Sequence, residues 1–393
     1  MAGSLNYSEF LAKTGPEPVD LPIASARGSW LYSQDGRKYL DLISGIGVSH
    51  LGHGHPFILK RIREQLDQHS HVMVFGEYPQ KIQDLLAEKV TGLLGKPLDK
   101  IFFTNSGTEA NEAALKIAKR YTGRTELISF IGAYHGSTQG SLSVSGNESR
   151  KRSFRPLLPD VRFLRFNHIE DLSQISKRTA AVIIEPIQGD AGVRIPDPDY
   201  LSALSDRCKQ SGSLLIMDEV QTGFGRTGKW FAHQHYDMKP DIITMGKAMG
   251  AGLPLAAFAA RADIMDCLTS DPPLGHITTF GGNPVCCAAS LGGIEVIETE
   301  RVLESVEEKG QLFESKLDHP RIKAIRRKGL MLAIDLESED QVNRTVASCR
   351  EKGSLIYWFL STKYSFRLAP PLNISNEEIE KGCNDILAAL DEI

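Results

Sequence analysis

The stretch from Leu214 to Leu253, LLIMDEVQTGFGRTGKWFAHQHYDMKPDIITMGKAMGAGL, limits the fold more than any other part of the chain. Two short apolar runs within it, Leu214 to Met217 and Ile242 to Met245, show no alternation of polar and apolar positions. Such runs are strands buried on both faces, the texture of a parallel sheet covered by helices. Each run leads to a polar residue at the carboxyl edge, where open α/β sheets place their ligands. Asp218 follows the first run, and Lys247 stands just past the second, ahead of Gly250 and Gly252.

Taken singly, neither residue says much. A lysine after a strand is usually solvated, and an aspartate at a strand end is as often a helix cap. Together, with Gly246 and the later glycines leaving room for a bulky planar ring, they suit pyridoxal phosphate (PLP). The lysine would join the aldehyde as a Schiff base, and the carboxylate would keep the pyridine nitrogen protonated so that the ring accepts electrons. Lys247 and Asp218 are therefore the candidate catalytic residues. The segment DEVQTGFGRTG, followed by a lysine in a Gly-Lys context, resembles the signature of the class III aminotransferases of PLP fold type I. The resemblance implies an α/β architecture in which residues 58–298 form a mostly parallel seven-stranded sheet flanked by helices. A smaller α+β domain would be built from an N-terminal arm, residues 1–57, and a C-terminal segment, residues 299–393.

Gly223, Gly225 and Gly228 also satisfy the G-x-G-x-x-G spacing of a dinucleotide-binding turn. That turn follows its strand at once and opens a helix. Here DEVQ and a threonine intervene, and KWFAHQHYDMKPD is no clean helix, so the nicotinamide reading is set aside.

A chain of 393 residues has length for two domains and a large core. Its formal charge of −4 gives no electrostatic reason to expect nucleic-acid or membrane partners. The six cysteines form no C-x-x-C, so neither a zinc ribbon nor a disulfide framework is indicated, and a reducing compartment fits. MAGSLNYSEFLAKTG has no basic segment leading into an apolar core, and no apolar run approaches the ~20 residues of a membrane span. These features read as a cytoplasmic enzyme.

Near the N-terminus, SWLYSQDGRKYLDL predicts a hairpin turning at Gln34-Asp35-Gly36. His50, His53 and His55 lie in a glycine-rich stretch with no element to aim them together, so a packed loop is expected rather than a metal site. Helical periods follow over Phe57 to Gln68 and through YPQKIQDLLAEKVTGLL, while HSHVMVFGEY between them suits either core or a substrate-facing loop. Further on, Ile101 to Phe103 reads as a strand leading through Ser106-Gly107-Thr108 into a helix with Ala110, Ala114, Ile117 and Tyr121 on one face. Ser106 and Glu109 fit a capping box, and the exposed amides of a helix start suit a phosphate. Glu126 to Phe130, Val161 to Phe166, Ala180 to Ile184 and Leu255 to Ala260 read as further strands. Glu185 leaves one of these strand ends toward the ligand face, where it would support the site. Beyond residue 299 the texture becomes charged helix, strand and terminal helix, a small α+β unit. Within it, Arg367 precedes Pro370-Pro371, a corner that can aim its planar fork at a carboxylate.

The resemblance adds roles to these positions. It puts the cofactor phosphate on Ser106, Gly107 and Thr108, a ring-covering aromatic at Tyr134 with His135 beside it, and a hydrogen bond from Gln221 to the ring oxygen. It puts Ser44 to Val48 at the substrate entrance, and a carboxylate of glutamate or 2-oxoglutarate on Arg367. At Asp190 many relatives carry a glutamate that pairs with this arginine and swings away, and at Ser137 those acting on acetylornithine carry arginine. Thr279 would reach the phosphate of a neighbouring subunit, implying a homodimer. The expected activity is transfer of an amino group from an ω-amine of the ornithine, acetylornithine, lysine or 4-aminobutyrate type to 2-oxoglutarate. An aminomutase or a decarboxylase on the same fold is the alternative, and a non-catalytic binding protein is the third.

Overall fold

The computed structural model describes residues 10–15, 19, 21–236 and 238–393; most of the segment inspected above for a leader, residues 1–9, lies outside them. Strands β1 (Ile23–Arg27), β2 (Trp30–Ser33) and β3 (Lys38–Asp41) form an antiparallel meander. The hairpin expected at Gln34-Asp35-Gly36 joins β2 to β3, with Gly36 at φ 84° supplying the left-handed position.

Seven strands make the central sheet: β4 (Lys100–Thr104), β5 (Glu126–Phe130), β6 (Val161–Leu164), β7 (Thr179–Ile184), β8 (Leu214–Asp218), β9 (Ile242–Met245) and β10 (Ala256–Ala260). Their order is β4-β10-β9-β8-β7-β5-β6. All pairs are parallel except those of β10, which runs antiparallel to both its neighbours. Every residue of β7, β8 and β9 is buried, which is why these strands read as unbroken apolar runs. The register pairs Asp218 with Thr244, so Asp218 and the residues after Met245 emerge at the same carboxyl edge.

The helix Gly107–Thr122 packs on β9 and β10. Ala110, Ala114 and Ile117 are buried as their spacing predicts. Tyr121, expected on that face, is instead 38% exposed and donates its hydroxyl to Asp263 at 2.7 Å. It sits in the last turn, past the end of the sheet, where no strand covers it.

The C-terminal segment supplies β11 (Ala324–Lys328), β12 (Met331–Asp335), β13 (Ser354–Leu355), β14 (Tyr357–Trp358) and β15 (Ser365–Leu368). Four of these form an antiparallel sheet, β11-β12-β15-β14, while β13 pairs in parallel with β3 of the arm. Leu40 and Leu42 share one core with Phe313, Leu330 and Ile386, so the two ends of the chain bury each other. His50, His53 and His55 go to different places. His50 is buried, His53 Nε2 lies 2.8 Å from Asp41 Oδ2, and His55 Nε2 lies 3.2 Å from Glu300 Oε1. The stretch HSHVMVFGEY forms an irregular loop with Val72, Met73 and Tyr78 exposed.

Candidate active site

Asp218 ends β8 and is 4% exposed. A buried carboxylate is costly unless donors surround it, and three do. Asn111 Nδ2 and His135 Nδ1 each lie 2.8 Å from Oδ2, and the Val220 N–H lies 3.0 Å from Oδ1. Because a carboxylate only accepts, the proton of His135 is on Nδ1. Asn111 also donates to the His135 carbonyl at 2.7 Å and accepts from the Thr244 hydroxyl at 2.7 Å. It thereby fixes the carboxylate to both the neighbouring strand and the loop that carries Tyr134. The adjacent Glu219 is spent elsewhere, accepting from the backbone N–H groups of Ala232 and His233 at 2.9 and 2.7 Å. Of the two acids in DEVQ, only Asp218 is available to a ligand.

Lys247 follows β9 and Gly246 with φ 47°, a left-handed backbone that costs a non-glycine residue roughly 1 kcal/mol. Its Nζ donates to Gln221 Oε1 at 2.8 Å. Desolvation pulls this amine below the ordinary lysine range; Asp218 opposes the effect and Arg367 adds to it. Lys247, Gln221, Asp218 and Glu185 line one cavity of about 280 Å³ together with Tyr134, His135, Gly107 and Thr108. Glu185 is buried and accepts from the N–H groups of Tyr134 and Gly189, both at 2.9 Å; burial pushes its carboxyl up to about 7.

Ser106 does not line the cavity but caps the helix that faces it. Its hydroxyl accepts from the Glu109 N–H at 3.4 Å, while Glu109 Oε2 accepts from the Asn105 and Ser106 N–H groups at 2.7 and 3.1 Å. The box is real, and it leaves the amides of Gly107 and Thr108 uncommitted. A Cβ on Gly107 would meet Val220 at 2.7 Å. Gly107→Ala is therefore expected to weaken cofactor retention about tenfold, read as dissociation on dialysis, with Val220→Ala restoring much of it.

Asp190 also lines the cavity. Arg367, on β15 and 5% exposed, donates from Nη2 to Asp190 Oδ1 at 2.9 Å and from Nε to the Trp358 carbonyl at 3.1 Å, above the ring of Phe359. Asp190 also accepts from the Leu360 N–H at 3.0 Å and the Ser361 hydroxyl at 2.7 Å.

Two expectations place residues elsewhere. Ser44 to Val48 do not line this cavity; Ser44 is buried and donates to the Ala369 carbonyl at 2.6 Å, tying the arm to the C-terminal segment. Thr279 is exposed on an irregular turn and does not reach this cavity within its own chain. Asn111 is the site residue that sequence reasoning missed. Its signal is a polar side chain on the alanine-rich, inward face of a helix.

The protein-family model described as "Aminotransferase class-III" matches residues 11–390. The acetylornithine aminotransferase of Archaeoglobus fulgidus is 40% identical over 366 residues, covering 93% of this chain and 94% of its own. The [LysW]-aminoadipate semialdehyde/glutamate semialdehyde transaminase of Sulfolobus acidocaldarius is 40% identical over 369 residues, covering 93% of each. Among solved structures, a Bacillus anthracis aminotransferase superposes with a TM-score of 0.92 at 31% identity, over 99% of this chain and 96% of that one. The Toxoplasma gondii ornithine aminotransferase, with PLP at partial occupancy in its active site, superposes with 0.91 at 28% identity, over 98% and 92%. A family match running almost from end to end, with relatives that align over more than nine-tenths of both chains, makes this protein a member of the class III aminotransferases, which work with pyridoxal 5′-phosphate.

Proposed function

We propose that the chain moves an amino group from the terminal amine of an ornithine-, acetylornithine-, lysine- or 4-aminobutyrate-type donor to 2-oxoglutarate, in two half-reactions at one site. The residues present fit the cofactor. Gly107 and Thr108 offer helix amides with no protein acceptor, Asp218 is a buried anion held by fixed donors, and Lys247 is a desolvated amine in the same cavity. Bound there, PLP supplies an aldehyde that condenses with amines and a ring that accepts the electron pair left when a proton leaves the adjacent carbon.

Around that chemistry the side chains have separate tasks. Lys247 Nζ would take the proton from the amine-bearing carbon of the donor and return it to the cofactor carbon on the far side of the nitrogen. Asp218 would keep the pyridine nitrogen protonated, and Asn111 and His135 hold that carboxylate in place. Gln221, which pairs with the Lys247 amine here, would donate to the ring oxygen, and Tyr134 would cover the ring face. Gly107 and Thr108, beside Ser106, would hold the phosphate.

One observation carries the choice of acceptor. Arg367 is a buried guanidinium whose Nη1 donates to no described residue, next to a cavity-lining carboxylate. A planar fork with a free donor suits a carboxylate. With the wild type, glutamate alone should release one equivalent of 2-oxoglutarate per site before any second substrate is added. Arg367→Gln should react with glutamate about 100-fold more slowly while an amine without a carboxylate is little affected. Failure of glutamate to release any 2-oxoglutarate from the wild type would sink the reading.

A homodimer is part of the proposal. Leu274, Ile277 and Phe280 are exposed around Thr279, and Phe280 lies 5.2 Å from the ring of His71, on the loop that exposes Val72 and Met73. An apolar surface of this kind is suited to a second copy, across which Thr279 would complete the phosphate seat. Among the described residues no helix is long and apolar enough to cross a membrane, and the six cysteines are free thiols, which supports a cytoplasmic setting.

A further inference from the structure

A second chamber, of about 490 Å³, adjoins the catalytic cavity and shares Tyr134, Gly136, Ser137 and Asp190 with it. The only charged side chains on its described walls are Asp190 and Arg150. Asp190 is fully engaged by Arg367, the Leu360 N–H and the Ser361 hydroxyl. Arg150 is the opposite case. Its guanidinium makes no hydrogen bond or ion pair with any described residue, while Glu148, the acid nearest in sequence, is taken by Arg155 Nη2 at 2.7 and 2.9 Å. Among the described residues, the chamber therefore carries one unpaired positive charge.

Arg150 is exposed at the chamber's rim, and the turn that bears it is held in place. Asn147 begins its short helix, accepting from the Ser149 N–H at 3.1 Å, and donates from Nδ2 to Ser361 Oγ at 3.2 Å. Ser361 is in turn bonded to Asp190, so the turn bearing Arg150 is tied to the carboxylate that lines both spaces. Leu142, Phe154 and Leu360 give the same chamber apolar wall for a hydrocarbon chain.

We propose that this chamber seats the half of the amine donor remote from the reacting amine, and that Arg150 is the anchor for an anionic group at its far end. The substrate class is then an ω-amino acid, with the amine at Lys247 and the distal carboxylate on Arg150. This assignment rests on the ω-aminotransferase reading above. It also divides the labour between two arginines: Arg367 takes the carboxylate of glutamate, and Arg150 that of the donor. Ser137, on the shared wall, is small enough to leave the passage open.

The test compares 4-aminobutyrate, 5-aminopentanoate and 6-aminohexanoate with unbranched alkylamines of the same length, using holoenzyme and 2-oxoglutarate. Arg150→Gln should lower kcat/KM for the best ω-amino acid about 10-fold, and leave the matching alkylamine and the glutamate half-reaction unchanged. Arg150→Glu should reverse the preference, favouring a diamine of that length over the ω-amino acid. Equal losses for amines with and without the carboxylate, or no change with either variant, overturn the assignment while leaving the aminotransferase reading intact. A wild type that turns over glutamate but none of the ω-amines overturns both.

Discussion

The Lys247→Ala variant is expected to lose roughly 10⁴-fold or more in kcat while folding normally. The amine it removes is the group proposed to bind the cofactor and carry the proton, and among the described residues no other lysine lines the cavity to replace it. The backbone need not suffer, because alanine meets the same left-handed φ of 47° that lysine does, and the neighbouring turn is closed by Met249 N–H to the Gly246 carbonyl at 3.0 Å. Thermal unfolding of the cofactor-free variant should therefore match that of the cofactor-free parent within a degree or two, while stopped assays show no turnover. A small added amine such as methylamine should recover part of the rate by entering the vacated space. A variant within tenfold of the parent would refute the assignment of Lys247.

Asp218→Asn is expected to cost about 10³-fold in kcat, together with a loss of stability of roughly 1–3 kcal/mol. The two effects have different causes. Asparagine cannot carry the negative charge proposed to hold a proton on the ring nitrogen, so the rate should fall even where the shape is kept. Stability falls because all three neighbours of Asp218 are donors: Asn111 Nδ2 and His135 Nδ1 on one oxygen, and the Val220 N–H on the other. An amide has one oxygen and one NH₂, so in either orientation at least one N–H faces another N–H across a buried space. Chemical denaturation of cofactor-free protein separates the second effect from the first. Unchanged stability would mean that the carboxylate is less confined than its contacts indicate.

Much of this site could be read from the chain because it lies where regular elements end. The unbroken apolar texture of Leu214 to Met217 and Ile242 to Met245 marks buried parallel strands, and their ends locate Asp218 and Lys247. The antiparallel direction of β10 had a cue as well, since the link 246–255 is short of the dozen or so residues that a parallel crossover needs. Other features depend on distance through space. The Asp190–Arg367 pair joins a loop to a strand far along the chain, and no local period encodes it. Asn111 looked like one polar residue among alanines until β8 and β9 were set against it. The helical spacing of Tyr121 predicts burial, but the helix outruns the sheet that would have covered it.

The capping box at Ser106 and the phosphate seat beside it looked like rival explanations of one short motif. They are compatible, because the box closes with groups of the chain alone, Glu109 answering the Asn105 and Ser106 amides and Ser106 answering that of Glu109. The first turn of that helix does not wait for an anion in order to form. An empty protein should consequently hold its receptor amides ready, so that the ordering entropy is spent during folding and reloading after cofactor loss resembles docking into a finished mould.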